Sequence, residues 1–149
     1  MKYTSTRDES TLYSFEEALT SGYAPDGGLF VPERLPVLQD PSSTLKEWSK
    51  LSYSELATQV LRRFISESEI STSDLENLLG QAFADFPTDI PVVPVKRIGP
   101  IFVAELFHGP TFCFKDLGMR AVVNMLNHFA AKKSQKITLV VSTTGDTGK

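Results

Sequence analysis

Glu105-Leu-Phe-His-Gly-Pro-Thr-Phe-Cys-Phe-Lys-Asp116 sets one lysine among phenylalanines directly ahead of a helical pattern. With Phe107, Phe112 and Phe114 close by, Lys115 is expected to sit in an aromatic pocket. There desolvation and the positive end of the following helix both disfavour the ammonium form. A lysine so placed is a nucleophile suited to a carbonyl cofactor. Taken alone, the same residues also read as core phenylalanines beside a solvated charge.

Outward from this stretch, the chain changes character near residue 90. Downstream, Leu117, Arg120, Ala121, Val122, Met125, Leu126 and Phe129 predict an amphipathic helix to about Lys132, with Asp116 as its N-cap. Ile137-Thr-Leu-Val-Val-Ser142 is a continuous apolar run of the kind that forms a buried parallel strand. It empties into Thr143-Thr-Gly-Asp-Thr-Gly148, a loop of hydroxyls and glycines where a doubly wound fold binds its ligands. Just upstream, Val92–Val95 and Ile101–Leu106 predict a hairpin turning at Gly99-Pro100.

The N-terminal half reads as helical. Ser14-Phe-Glu-Glu17 is a capping box whose helix Gly22 can close, and three further boxes start at Thr44, Ser52 and Ser73. Tyr53, Leu56, Ala57, Val60, Leu61 and Phe64 recur at helical spacing, as do Leu75, Leu78, Leu79, Ala82 and Phe83. Between the first two helices, Ala24-Pro-Asp-Gly-Gly28 specifies tight turns leading to the short apolar Leu29-Phe-Val31. The expected organisation is a region over residues 1–90 and the beginning of a second, α/β domain over residues 91–149.

Composition narrows the function. The 149 residues are 41% hydrophobic and carry 15 basic against 18 acidic side chains, for a net charge of -3. No basic stripe favours nucleic acid, and the apolar runs fall well short of the roughly 20 residues that span a bilayer. The N-terminus lacks the apolar core of a secretory signal, so a cytoplasmic location is the default expectation. Cys113 is the only cysteine, and no Cys/His spacing suits a metal.

Three blocks together carry a family resemblance: Tyr3-Thr-Ser-Thr-Arg7 with Ala24-Pro-Asp-Gly-Gly-Leu-Phe-Val-Pro32, Glu105–Thr111 with Phe114-Lys-Asp116, and Thr144-Gly-Asp-Thr-Gly148. In order and spacing they resemble threonine synthase and the threonine-synthase-like proteins, fold-type-II enzymes dependent on pyridoxal 5'-phosphate (PLP). The resemblance implies an α/β fold with a parallel sheet. It also implies that Lys115 attaches the cofactor, with Phe114 beside it. Thr144, Gly145, Asp146 and Thr147 then receive the carboxylate of a small phospho-amino-acid substrate. The reaction implied is conversion of O-phosphohomoserine to threonine and phosphate. An alternative is elimination of phosphate from O-phosphohomoserine or O-phosphothreonine to 2-oxobutanoate.

Two positions depart from the family pattern, which carries serine at Thr144 and a small residue at Lys149. The family's chains are longer, and the loop that cradles the cofactor's phosphate is expected beyond residue 149. A reading of another class is therefore a non-catalytic fragment, in which residues 137–142 form an apolar sheet edge that associates with other chains. His108 stands open between a general acid/base and a turn residue. Arg7 stands open between an anion partner and a surface charge.

Overall fold

The computed structural model describes residues 1–145 and 147. The chain divides into two compact units, Met1–Asn77 and Leu78–Lys149.

The first unit is built on β1 (Tyr3–Ser5), α1 (Phe15–Ser21), β2 (Phe30–Pro32), α2 (Pro41–Trp48), α3 (Tyr53–Leu61) and the start of α4 (Thr72–Phe83). β1 and β2 pair antiparallel, with Tyr3 opposite Pro32 and Ser5 opposite Phe30. The loop before β2 is threaded against β1. Ser5 Oγ donates to Asp26 Oδ1 at 2.8 Å, and Arg7 Nη1 donates to the Asp26 carbonyl at 3.1 Å. A Cβ at Gly28 would collide with Ser5 Oγ and lie 3.1 Å from Thr6 Oγ1, so only glycine lets the loop come this close. Arg7 thus works as a clamp on its own fold.

Capping explains most of the helix starts. Ser14 and Ser52 each close a box with Glu17 and Glu55, and Gly22, at φ 74°, caps the end of α1. The other two expected boxes are corrected. α2 opens at Asp40-Pro41, where Asp40 accepts from the Ser43 N–H, because proline is pre-organised for the first helical position. Thr44 therefore lies inside the helix. α4 is capped by Ser71, which accepts from the Asp74 N–H at 3.1 Å, two residues ahead of the expected Ser73. Between α3 and α4, Arg62 donates to the carbonyls of Ile65 and Ile70, which places both side chains in the core. Burying a side chain such as Ile70 contributes about 1.5–3 kcal/mol.

In the second unit, α4 continues to Phe83, the hairpin β3 (Val95–Ile98) and β4 (Ile101–Ala104) follows, and α5 runs over Asp116–Lys132. Gly99, at φ 60°, makes the expected turn, but β3 lies three residues later than expected. Pro91 and Pro94 have no N–H to give a ladder, which moves pairing to Val95–Ile98. Leu79, Ala82, Phe86, Ala121, Met125, Phe129 and Ala130 are buried, the last four along one stripe of α5. Arg120 fastens α5 to the end of α4, donating to the Ala82 carbonyl at 2.7 Å and pairing with Asp85.

The parallel sheet is not found among the described residues, whose sheets are the two antiparallel pairs β1–β2 and β3–β4. Residues 137–142 make no ladder, and Val140 is 91% exposed. A parallel strand needs a neighbour to take its hydrogen bonds, and no described strand lies alongside this one. Among the described residues, no helix is long and apolar enough to cross a membrane.

Candidate functional site

The site grows from the segment between β4 and α5. Glu105 is held to the hairpin by its N–H, which donates to the Pro94 carbonyl at 2.9 Å. Its carboxylate accepts from Lys96 Nζ and from His108 Nε2, both at 2.8 Å, and these bonds, Lys96 first, hold the carboxyl below its ordinary range. The His108 ring also lies against Phe107, with centroids 4.6 Å apart. His108 is therefore tied into the turn.

From Gly109 the chain makes a tight excursion. Phe112 adopts φ 58°, a left-handed conformation that a bulky residue occupies only when its surroundings impose it. Asp116 imposes it. Only 6% exposed, its Oδ2 accepts from both the N–H and the Oγ1 of Thr111 at 2.9 Å. Asp116 is therefore the first helical residue and the tie of the preceding loop, whereas Lys115 occupies the N-cap position without a side-chain cap bond. The expectation of an Asp116 N-cap is corrected accordingly, since its carboxylate is used by the loop.

Lys115 opens into a cavity of ≈ 290 Å³, at the small end for ligand sites. Met119, Val123, Leu139 and Val141 give it an apolar side, Thr111, Asn124 and Thr147 supply polar groups, and Asp116 and Arg120 add one charge of each sign. Lys115 Nζ donates to Thr147 Oγ1 at 2.8 Å and makes no ion pair among the described residues. The apolar side is aliphatic. Phe107, Phe112 and Phe114 are 53%, 79% and 59% exposed and do not line the cavity. The expected aromatic pocket is thus corrected, because the loop ties leave these rings at the surface.

Of the residues singled out in the sequence, Lys115 and Thr147 come together in this cavity. Phe114, Thr144 and Gly145 do not line it, and Asp146 lies outside the described residues. The loop instead turns on Thr143, whose Oγ1 accepts from the N–H groups of Gly145 and Thr147, each at 3.3 Å. Thr143, Thr111 and Asn124 were missed by sequence reasoning. The α5 contribution had a signal, because Lys115, Met119 and Val123 recur every four residues on one helical face.

An attachment lysine must keep its amine free of carboxylates and within a partly dry space. Lys115 meets the first condition in part, since its Nζ bonds to a hydroxyl while the Asp116 carboxylate of the same cavity is bonded to Thr111, and its aliphatic neighbours Met119, Val123, Leu139 and Val141 remain half-exposed.

Comparison with known proteins agrees with the three sequence blocks. Residues 2–83 match the family model described as threonine synthase N terminus. The chain belongs to the threonine synthase family. Threonine synthase-like 2 of Xenopus laevis is 43% identical over 149 residues, covering 99% of this chain and 31% of that protein. Threonine synthase of Pseudomonas aeruginosa is 39% identical over 151 residues, covering 99% and 31%.

Among solved structures, threonine synthase from Escherichia coli superposes with a TM-score of 0.83 at 36% identity, over 99% of this chain and 32% of that one. PLP-bound threonine synthase from Brucella melitensis gives 0.81 at 37% identity, over 90% and 28%. The chain therefore spans about a third of the length of the threonine synthases it matches.

Proposed function

We propose that this chain carries the cofactor-attachment part of a PLP-dependent enzyme that converts O-phosphohomoserine to threonine and phosphate. The observation that supports this most is the Lys115 Nζ–Thr147 Oγ1 bond, which joins two of the family's sequence blocks at one cavity. When bound, the cofactor supplies an electron sink that makes a substrate's α-hydrogen acidic. Lys115 does two jobs at Nζ. It would hold the cofactor, and its amine would take up the substrate's α-proton and return it.

Thr147 aims Nζ by accepting its hydrogen bond, and the half-exposed aliphatic side chains of Met119, Val123, Leu139 and Val141 flank the amine. The substrate's carboxylate is assigned to the hydroxyls of Thr144 and Thr147, the N–H groups of Gly145 and Thr147 being turned to Thr143 Oγ1.

A second reading is a phospholyase that releases phosphate and forms 2-oxobutanoate instead of threonine. It is favoured by the 43% identity to threonine synthase-like 2, against 39% to the Pseudomonas synthase.

Adding PLP to the purified 149-residue chain is expected to give a visible absorbance band that Lys115→Ala abolishes. Product analysis with O-phosphohomoserine then separates threonine from 2-oxobutanoate. A chain with no Lys115-dependent band contradicts the proposal and leaves the non-catalytic reading.

A further inference from the structure

We infer that Asp116 is a positioning residue, whose carboxylate sets the reactivity of Lys115 by latching the loop that carries it. The inference rests on the reading of Lys115 as the attachment lysine. Three observations converge. The carboxylate is buried at 6% exposure, yet its bonds go to a neutral residue, the N–H and Oγ1 of Thr111, each 2.9 Å from Oδ2. A buried polar side chain is retained at a cost unless it is bonded, so its bonds have to secure something. What they secure is the excursion from Thr111 to Asp116, including the left-handed Phe112 at φ 58°.

Gly109 completes the latch. A Cβ there would fall 2.6 Å from Asp116 Cβ and 2.8 Å from Cγ, so the loop's near end packs directly on the same side chain. The loop is thus bonded to the carboxylate at Thr111 and packed on the same side chain at Gly109, and Lys115 leaves it at the N-cap of α5 with Nζ on Thr147. Asp116 touches neither Nζ nor Thr147 among the described bonds. Although it lines the same cavity, its carboxylate is committed to the loop at Thr111.

The test is the rate at which PLP becomes covalently attached at Lys115, followed by the visible band over a range of PLP concentrations. In Asp116→Ala the limiting rate is expected to fall about 100-fold, as for a displaced reacting group. The concentration giving half that rate should change far less, a split that general destabilisation does not produce. Asp116→Asn keeps an acceptor oxygen and is expected to recover most of the rate. Thr111→Val removes one of the two bonds and is expected to cost about tenfold.

Amide hydrogen exchange at Thr111 reads the latch without cofactor, and should be slow in the parent chain and fast in Asp116→Ala. No band in the parent chain defeats the attachment reading, whatever the exchange shows. A band whose limiting rate is unchanged in Asp116→Ala and Thr111→Val overturns the latch alone.

Discussion

At residue 109 the absence of a side chain is a packing requirement. Gly109 is buried, and the nearest atoms to an added methyl group are those of Asp116, which cannot withdraw without releasing Thr111. Gly109→Ala is therefore expected to destabilise the second unit by about 1–3 kcal/mol, the usual cost of overpacking, as read from its urea midpoint. The contact of Lys115 with the 143–147 segment was foreshadowed by sequence blocks that resemble one family. The tie between Asp116 and Thr111 was not. Aspartate before a helical pattern signals a cap, and only the fold reveals that its carboxylate turns back five residues to a threonine.

Tyr3 illustrates how burial reaches into pH dependence. Its hydroxyl donates to the Phe64 carbonyl at 3.1 Å, and burial, with a smaller contribution from the Glu69 charge, pushes the phenol up to about 12. The folded value lies above the ordinary 10.0, so the associated stability is present below pH 10 and lost as pH rises toward 12. In Tyr3→Phe, urea midpoints should fall less over that alkaline window than in the parent chain.

Among the elements, helix starts were the most legible part of the sequence, because a cap is a local bargain between a hydroxyl and an N–H three residues on. Ser14 and Ser52 behave as their spacing predicts. Thr44 does not, since Asp40-Pro41 supplies a stronger start four residues earlier. A paired measurement separates the two cases. Ser52→Ala should cost about 1 kcal/mol of stability, as loss of an N-cap does. Thr44→Ala, at a mid-helix position with better propensity, should be neutral or slightly stabilising.

Strands were less legible. The hairpin followed from Gly99-Pro100, yet its first strand moved to Val95–Ile98, where N–H groups are free of proline. Residues 137–142 have a strand's composition without its ladder. Apolar composition establishes that a segment can pair, whereas the pairing depends on a neighbour elsewhere in the fold.

For the whole molecule, the family assignment and the cavity point the same way. Sequence blocks separated by some thirty residues meet where Lys115 reaches Thr147, although nothing in either block alone specifies that contact. The cavity's aliphatic wall was hidden in the sequence for the same reason. Met119 and Val123 come from one helix, while Leu139 and Val141 come from the segment that follows it. The phenylalanines nearest in sequence supply none of that wall.

Attachment of a carbonyl cofactor at one particular lysine is the step on which the proposed function stands. It is tested most directly by incubating the chain with PLP, reducing with borohydride and mapping the modified residue by peptide mass spectrometry. A single predominant pyridoxyl group on Lys115, absent from Lys115→Ala, is expected. Modification spread evenly over other lysines, such as Lys46, Lys96 and Lys132, with Lys115 no more labelled than they are, would contradict it.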